Sequence, residues 1–394
     1  FISVWSNDSG AGFEYTSSLY VGRNGGGYVI REWKSDTEIA ETAAMNLTRF
    51  LKLLRDAGRK VNPQFRSIVR LEAFGAERDY IDRELGDGID VEVGTLLSKG
   101  WDVPYKHPTY DDIPEVGGTL YHNHFDKKEA EKIQAYANKD CRTWVSHSLG
   151  TFLNFEPLLG VPFPWLAYEK MRDMAEVGAQ YGAQFGGATP PSKTPWNINQ
   201  EVWRTFQFDR TQRIDAMINE IATRWVGGNL AGTLLKAWKL TDDYIRTWPL
   251  PVMIYNTWSV WYRLWTRPII PNIEAISEED REYYENYLLA TPHNRTRVDF
   301  RWDVGFDLIS KERAWQTLER IDSQGFGLLD NAIGLLDEQL KKMKEGEEGR
   351  ACLLDQRDRL RALRIWFRTQ RNVTAWIAGV HGYLEATDDA TKQR

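Results

Sequence analysis

Two cysteines among 394 residues, Cys141 and Cys352, are too few for a disulfide scaffold or a multi-cysteine zinc site. No apolar run approaches the roughly 18 residues of a membrane-spanning helix. Neither sign of charge dominates: 50 Lys and Arg stand among 56 Asp and Glu, for a net charge of −6. That balance argues against the basic surface that nucleic acid or an anionic membrane requires, and neither is expected as a partner. No GxxxxGK[ST] occurs and no GxGxxG opens a helix, so the glycines of Arg23-Asn24-Gly25-Gly26-Gly27 are not a phosphate cradle and no cofactor is expected.

Aromatic residues are plentiful. Trp, Tyr and Phe number 17, 17 and 16, or 13% of the chain. Many must serve cores, because each ring buries a large area. An acidic chain this rich in Trp also has flat walls to offer a sugar.

The first half, 1–190, alternates short β-prone runs with helical stretches. The runs are Phe1–Trp5, Ser67–Leu71, Ile89–Val93, Thr143–His147 and a weaker one at Ala183–Phe185. A helix is expected over Asp36–Ala57, from the spacing of Ile39, Ala43, Leu47, Phe50, Leu51 and Leu54, with Gly58 as its stop. Asp126–Ala137 and Trp165–Ala179 read as further helices. Strands separated by helices imply a parallel sheet with right-handed crossovers. An open doubly wound sheet and a barrel both fit. The expected fold is a (β/α)₈-type barrel carrying the active site, because polar residues stand at the ends of several strands. Only five to seven strands can be counted, and a strand begins at the first residue, so the barrel is expected to be irregular or to lack its first strands. No leader pattern precedes Phe1, and a periplasmic or secreted location is weighed ahead of a cytoplasmic one.

Turn-rich Thr189–Pro195 marks the boundary to a mainly α-helical domain, 191–394. Helices are expected over Glu201–Trp225, Asn229–Thr247, Glu278–Ala290, Lys311–Glu345 and Ala351–Glu385. The last two should form an antiparallel pair around Gly346–Gly349, and the helical domain is a candidate surface for homo-oligomerisation.

The candidate chemistry lies at strand ends. Asn7 and Asp8 follow the first strand, and Arg70 and Glu72 flank the end of the second. Period-two alternation puts Asp90 and Glu92 on one face of the third, where poor solvation would force pairing or protonation. His122 and His124 form a His-x-His, and with His147 they could hold a metal. Asn154 and Glu156 follow the fourth run, with Trp144, Trp165 and Trp196 nearby in sequence. Asn197 and Asn199 open the helical half, with Asn199 as the expected helix cap. Glycosidic cleavage needs one carboxyl to protonate the leaving oxygen and a second group to attack or to activate water. Asp8, Glu72, Glu92 and Glu156 are the candidates for that pair, with His147 as an alternative base. Asn7, Arg70, His122, His124, Trp144, Asn154 and Trp196 are candidates for holding substrate, and an arginine such as Arg23, Arg70 or Arg142 could clamp an acidic sugar.

The stretch Glu220–Gly228, with Ala237-Trp238 and Tyr244 after it, resembles the helix pair that follows the barrel in α-N-acetylglucosaminidases, α-glucuronidases and related bacterial glycoside hydrolases. Ser6–Gly10 and Phe155-Glu156-Pro157 look like strand ends of such barrels. Phe155 stands between Asn154 and Glu156, where one large clan of barrel glycosidases has Asn-Glu-Pro, so no catalytic pair is carried over. The resemblance implies an exo-acting glycoside hydrolase with a carbohydrate substrate. A metal-dependent barrel hydrolase using His122, His124 and His147, and a non-catalytic sugar-binding or assembly protein, are the alternatives.

Overall fold

The computed structural model describes residues 1–4, 36–71, 74, 77–96, 123–137, 139, 141–147, 160–184, 194–247, 277–279, 311–324 and 326–388. They divide into two compact units. The first comprises Phe1–Leu96, His124–His147 and Asp173–Ala183, and the second takes the remainder, including 160–172 from the first half of the chain.

The first unit is built on a parallel sheet of five strands in the order β1-β2-β3-β4-β5: Ile2–Val4, Ser67–Arg70, Ile89–Leu96, Thr143–His147 and Tyr181–Gln184. Helices α1 (Asp36–Arg59), α2 (Arg78–Asp82), α3 (Lys127–Ala137) and α4 (Pro164–Glu176) fall between successive strands in the chain. Sequential order rules out a doubly wound sheet, whose order reverses at a switch point. The expected (β/α)₈ barrel is also corrected: among the described residues there are five strands, in one sheet with β1 and β5 at its ends. The βα alternation and polar strand ends from which a barrel was read are shared by any singly wound parallel sheet. Closure depends on strand number and shear, which those signals do not carry.

Helix α1 buries Ala40, Ala44, Leu47, Thr48 and Leu51, a stripe at helical spacing. Phe50, expected in that stripe, is 37% exposed. Gly58 is not the stop but lies inside the helix, where a Cβ would sit 2.3 Å from the ring of Phe65.

Two observations fix the helix-covered face of the sheet. Ser67 Oγ donates to the carbonyl of Leu51 in α1, and a Cβ on Gly94 would meet Ile133 of α3. Alternation and register then place Val69, Ile89, Val91, Val145 and His147 on that face. Ile68, Arg70, Asp90, Glu92, Trp144 and Ser146 lie on the other, inner face. The inner face is concave. The rings of Phe1 and Trp144 meet at 4.9 Å between centroids, although β1 and β4 are three strand spacings apart, about 14 Å in a flat sheet.

Among the described residues, the second unit holds six further helices: α5 (Ile198–Phe208), α6 (Ile214–Val226), α7 (Gly228–Thr247), α8 (Lys311–Gln324), α9 (Phe326–Lys342) and α10 (Arg350–Glu385). Helix α7 packs on α6 and α9, and α10 on α8 and α9. One expected helix is broken in two: Glu201–Trp225 ends at Asp209, an extended residue whose side chain turns to Thr211, and restarts after Arg213. Lys311–Glu345 is covered by α8 and α9, on either side of residue 325, which lies outside the described residues. The antiparallel pair is present as α9 and α10, joined through Gly346 and Gly349 with φ of 79° at each. The expected helix Glu278–Ala290 lies outside the described residues except for 278–279.

Asn197, not Asn199, caps α5, accepting the N–H of Gln200 at 3.3 Å. Asn199 is fully buried; it accepts the Phe163 N–H at 2.9 Å and donates to the Val161 carbonyl at 2.8 Å. Buried Gln356 of α10 accepts the indole N–H of Trp238 and donates to the carbonyl of Trp196, both at 3.0 Å. Among the described residues, no helix is long and apolar enough to cross a membrane.

Candidate functional site

The carboxyl end of β2 brings Arg70 level with Glu92 of β3 and Trp144 of β4. All three share the inner face. Arg70 is 5% exposed and Glu92 8%, and Arg70 Nε lies 3.0 Å from Glu92 Oε1. The two opposite charges form a buried ion pair on the inner face. Trp144 stacks on Tyr181 of β5 at 4.5 Å and 19° and touches Phe1, so the carboxylate has a flat aromatic wall beside it. A register shift between Glu92 and Gly94 lies immediately past this level, where a bulge re-aims side chains.

One turn of the pleat towards the amino ends, Asp90 is 1% exposed and fully engaged. Arg66 holds it with two bonds of 2.7 and 2.6 Å, and the main-chain N–H of Arg142 adds a third at 2.8 Å. Asp90 and Glu92 share a face, as the alternation required; both are buried and both are paired with arginine. Asp90 has no oxygen left over for chemistry.

The other candidates are placed as follows. His147 ends β4 on the helix-covered face, fully buried, opposite the face of Glu92 and Trp144. His124 is exposed just before α3. It sits near Asp173, whose carboxyl accepts the Phe125 N–H at 2.6 Å; burial pushes that carboxyl above its ordinary value, opposed by the amide and by His124. Trp196 lies in the second unit, half-buried, with its carbonyl bound by Gln356. Asn7, Asp8, Glu72, His122, Asn154 and Glu156 lie outside the described residues. Glu92 is therefore the one candidate carboxylate of the four whose surroundings are defined. Among the described residues, no group of three His, Cys, Asp or Glu could hold a metal.

Sequence reasoning passed over Arg66 and Tyr181. Arg66, Ile68 and Arg70 alternate onto one face, a signal that was present but hidden by the shortness of β2. Tyr181 stands at the start of β5, two residues before the run at Ala183–Phe185 from which that strand was read.

No protein-family model matches the chain, and no curated protein matches it.

Proposed function

We propose that the chain is a glycoside hydrolase, exo-acting, whose active site is the inner face of the five-stranded sheet at the level of Arg70, Glu92 and Trp144. The observation that carries this reading is a buried carboxylate paired with arginine beside a stacked indole and phenol. Glu92 attacks the anomeric carbon or activates the water that does. Arg70 supplies the opposite charge beside it, and Trp144 with Tyr181 forms a face for a sugar ring. The proton donor comes from Asp8, Glu72 or Glu156.

The resemblance of Glu220–Gly228 and Ala237-Trp238 to the helices of sugar-cleaving barrel enzymes supports the same chemistry. The metal-dependent alternative has less support, because His147 and Glu92 lie on opposite faces of the sheet and His124 is exposed. A panel of chromogenic aryl glycosides, neutral and acidic, tests the proposal. Turnover of at least one sugar, in one anomeric form, is expected. Glycan affinity without turnover across the panel would return the chain to a sugar-binding role.

A further inference from the structure

The amino ends of the strands carry a second polar surface, which shares Tyr181 with the aromatic wall described above. Arg66 precedes β2, Lys139, Cys141 and Arg142 precede β4, Gln180 precedes β5 and Tyr181 is its first residue. Together these six residues line an open depression of about 580 Å³. Three of the six are cations and none is a carboxylate.

The cations are not equally committed. Arg66 is spent on Asp90, through the two short bonds already described. Lys139 lies 3.9 Å from Asp82 and 4.8 Å above the ring of Tyr136. Asp82 is itself occupied by the Tyr136 hydroxyl, at 2.7 and 2.9 Å. Arg142 differs from both. Its main-chain N–H goes to Asp90, but its guanidinium has no carboxylate partner among the described residues. The guanidinium lies 5.5 Å from the centre of the Tyr181 ring, a placement that restrains its plane before any ligand arrives. Asp90, which accepts the Arg142 main-chain N–H, is out of solvent with both oxygens already bonded.

We propose that this depression binds a small oxyanion: the phosphate, sulfate or carboxylate group of a polar ligand. Arg142 is the principal partner, offering its planar fork to two oxygens, with Lys139 as a second charge and the Gln180 amide lining the same space. Arginine suits this role better than lysine, because the fork matches a flat or tetrahedral oxyanion at two points. Exposure keeps the affinity modest, with Kd on the order of 1 mM and weakening as salt rises. The proposal does not depend on the sugar-cleaving reading, and its test measures binding without turnover.

The experiment is a titration of the full chain with sodium sulfate and sodium phosphate, followed by ¹H–¹⁵N spectra of the arginine Nε–H groups. Sodium chloride at matched ionic strength is the control. A saturable shift of the Arg142 signal by sulfate or phosphate is expected, with none from chloride. Arg142→Ala should weaken binding at least tenfold, and Lys139→Ala about threefold. Because only the side chain is lost, Arg142→Ala keeps its main-chain bond to Asp90 and should retain the wild-type melting temperature. A sugar phosphate, a sulfated sugar and a uronic acid are then compared with the inorganic ions. Tenfold tighter binding of one of them names the source, and equal binding assigns the site to the free anion. A response to sulfate no different from that to chloride, or undiminished binding by Arg142→Ala, would overturn the proposal.

Discussion

Arg70 and Glu92 meet across adjacent parallel strands with 3.0 Å between Nε and Oε1, both more than nine-tenths out of solvent. Such a pair is costly to halve. Removing one charge of a buried pair typically costs about 3–5 kcal/mol. Arg70→Met is expected to lower the unfolding free energy by about that amount in urea. The double change Arg70→Met with Glu92→Met should recover much of it, because neither charge then remains. An Arg70→Met variant as stable as wild type would mean that the pair is solvated in solution.

The turn between α9 and α10 offers a matched comparison. Gly346 and Gly349 share a φ of 79°, but a Cβ on Gly346 meets nothing within 4 Å, whereas one on Gly349 would lie 2.8 Å from Val226 Cα and 2.9 Å from its carbonyl oxygen. Gly346→Ala should cost only the left-handed penalty, about 1–2 kcal/mol. Gly349→Ala must also displace backbone in α6, so its loss should be clearly larger. Equal losses in thermal unfolding would show that the approach of Gly349 to Val226 is looser than described.

Alkali should destabilise the protein through groups held neutral by burial. Burial pushes the Cys352 thiol from its ordinary value near 9.0 up to about 12. Burial also raises Tyr136, with the Asp82 carboxylate adding to it, and burial raises Tyr244. Each folded value lies above the unfolded one. Between about pH 9 and 12 the unfolded thiol has released a proton that the folded one keeps, so unfolding is favoured as pH rises. The contribution of Cys352 is intact below about pH 9 and lost through that window. Cys352→Ala should flatten the decline in stability measured across it. An identical slope in the variant would count against the assignment.

Four strands were legible as β-prone runs, Ser67–Arg70 and Thr143–His147 almost to the residue, while the fifth, Tyr181–Gln184, was read only in its second half. Val, Ile and aromatics in short blocks between helical stretches leave little else to build. Their closure was not legible, because a run of apolar residues specifies a buried strand but not how many neighbours it has. The face of His147 was not legible either. Thr143–His147 is buried on both sides, so it lacks the polar–apolar alternation that would orient it. Orientation comes instead from the register of β3 against β4 and from the Gly94 contact with α3, neither of which sequence spacing contains. Asp90 and Glu92 could be read correctly because two carboxylates at i and i+2 on a strand must share a face.

The central claim is that Glu92 performs chemistry, and kinetics on Glu92→Gln tests it most directly. Once the glycoside screen has supplied a substrate, the variant should keep its fold by circular dichroism and lose about 10²-fold or more in kcat. Turnover by folded Glu92→Gln at the wild-type rate would contradict the account, leaving Arg70 and Glu92 as a structural ion pair.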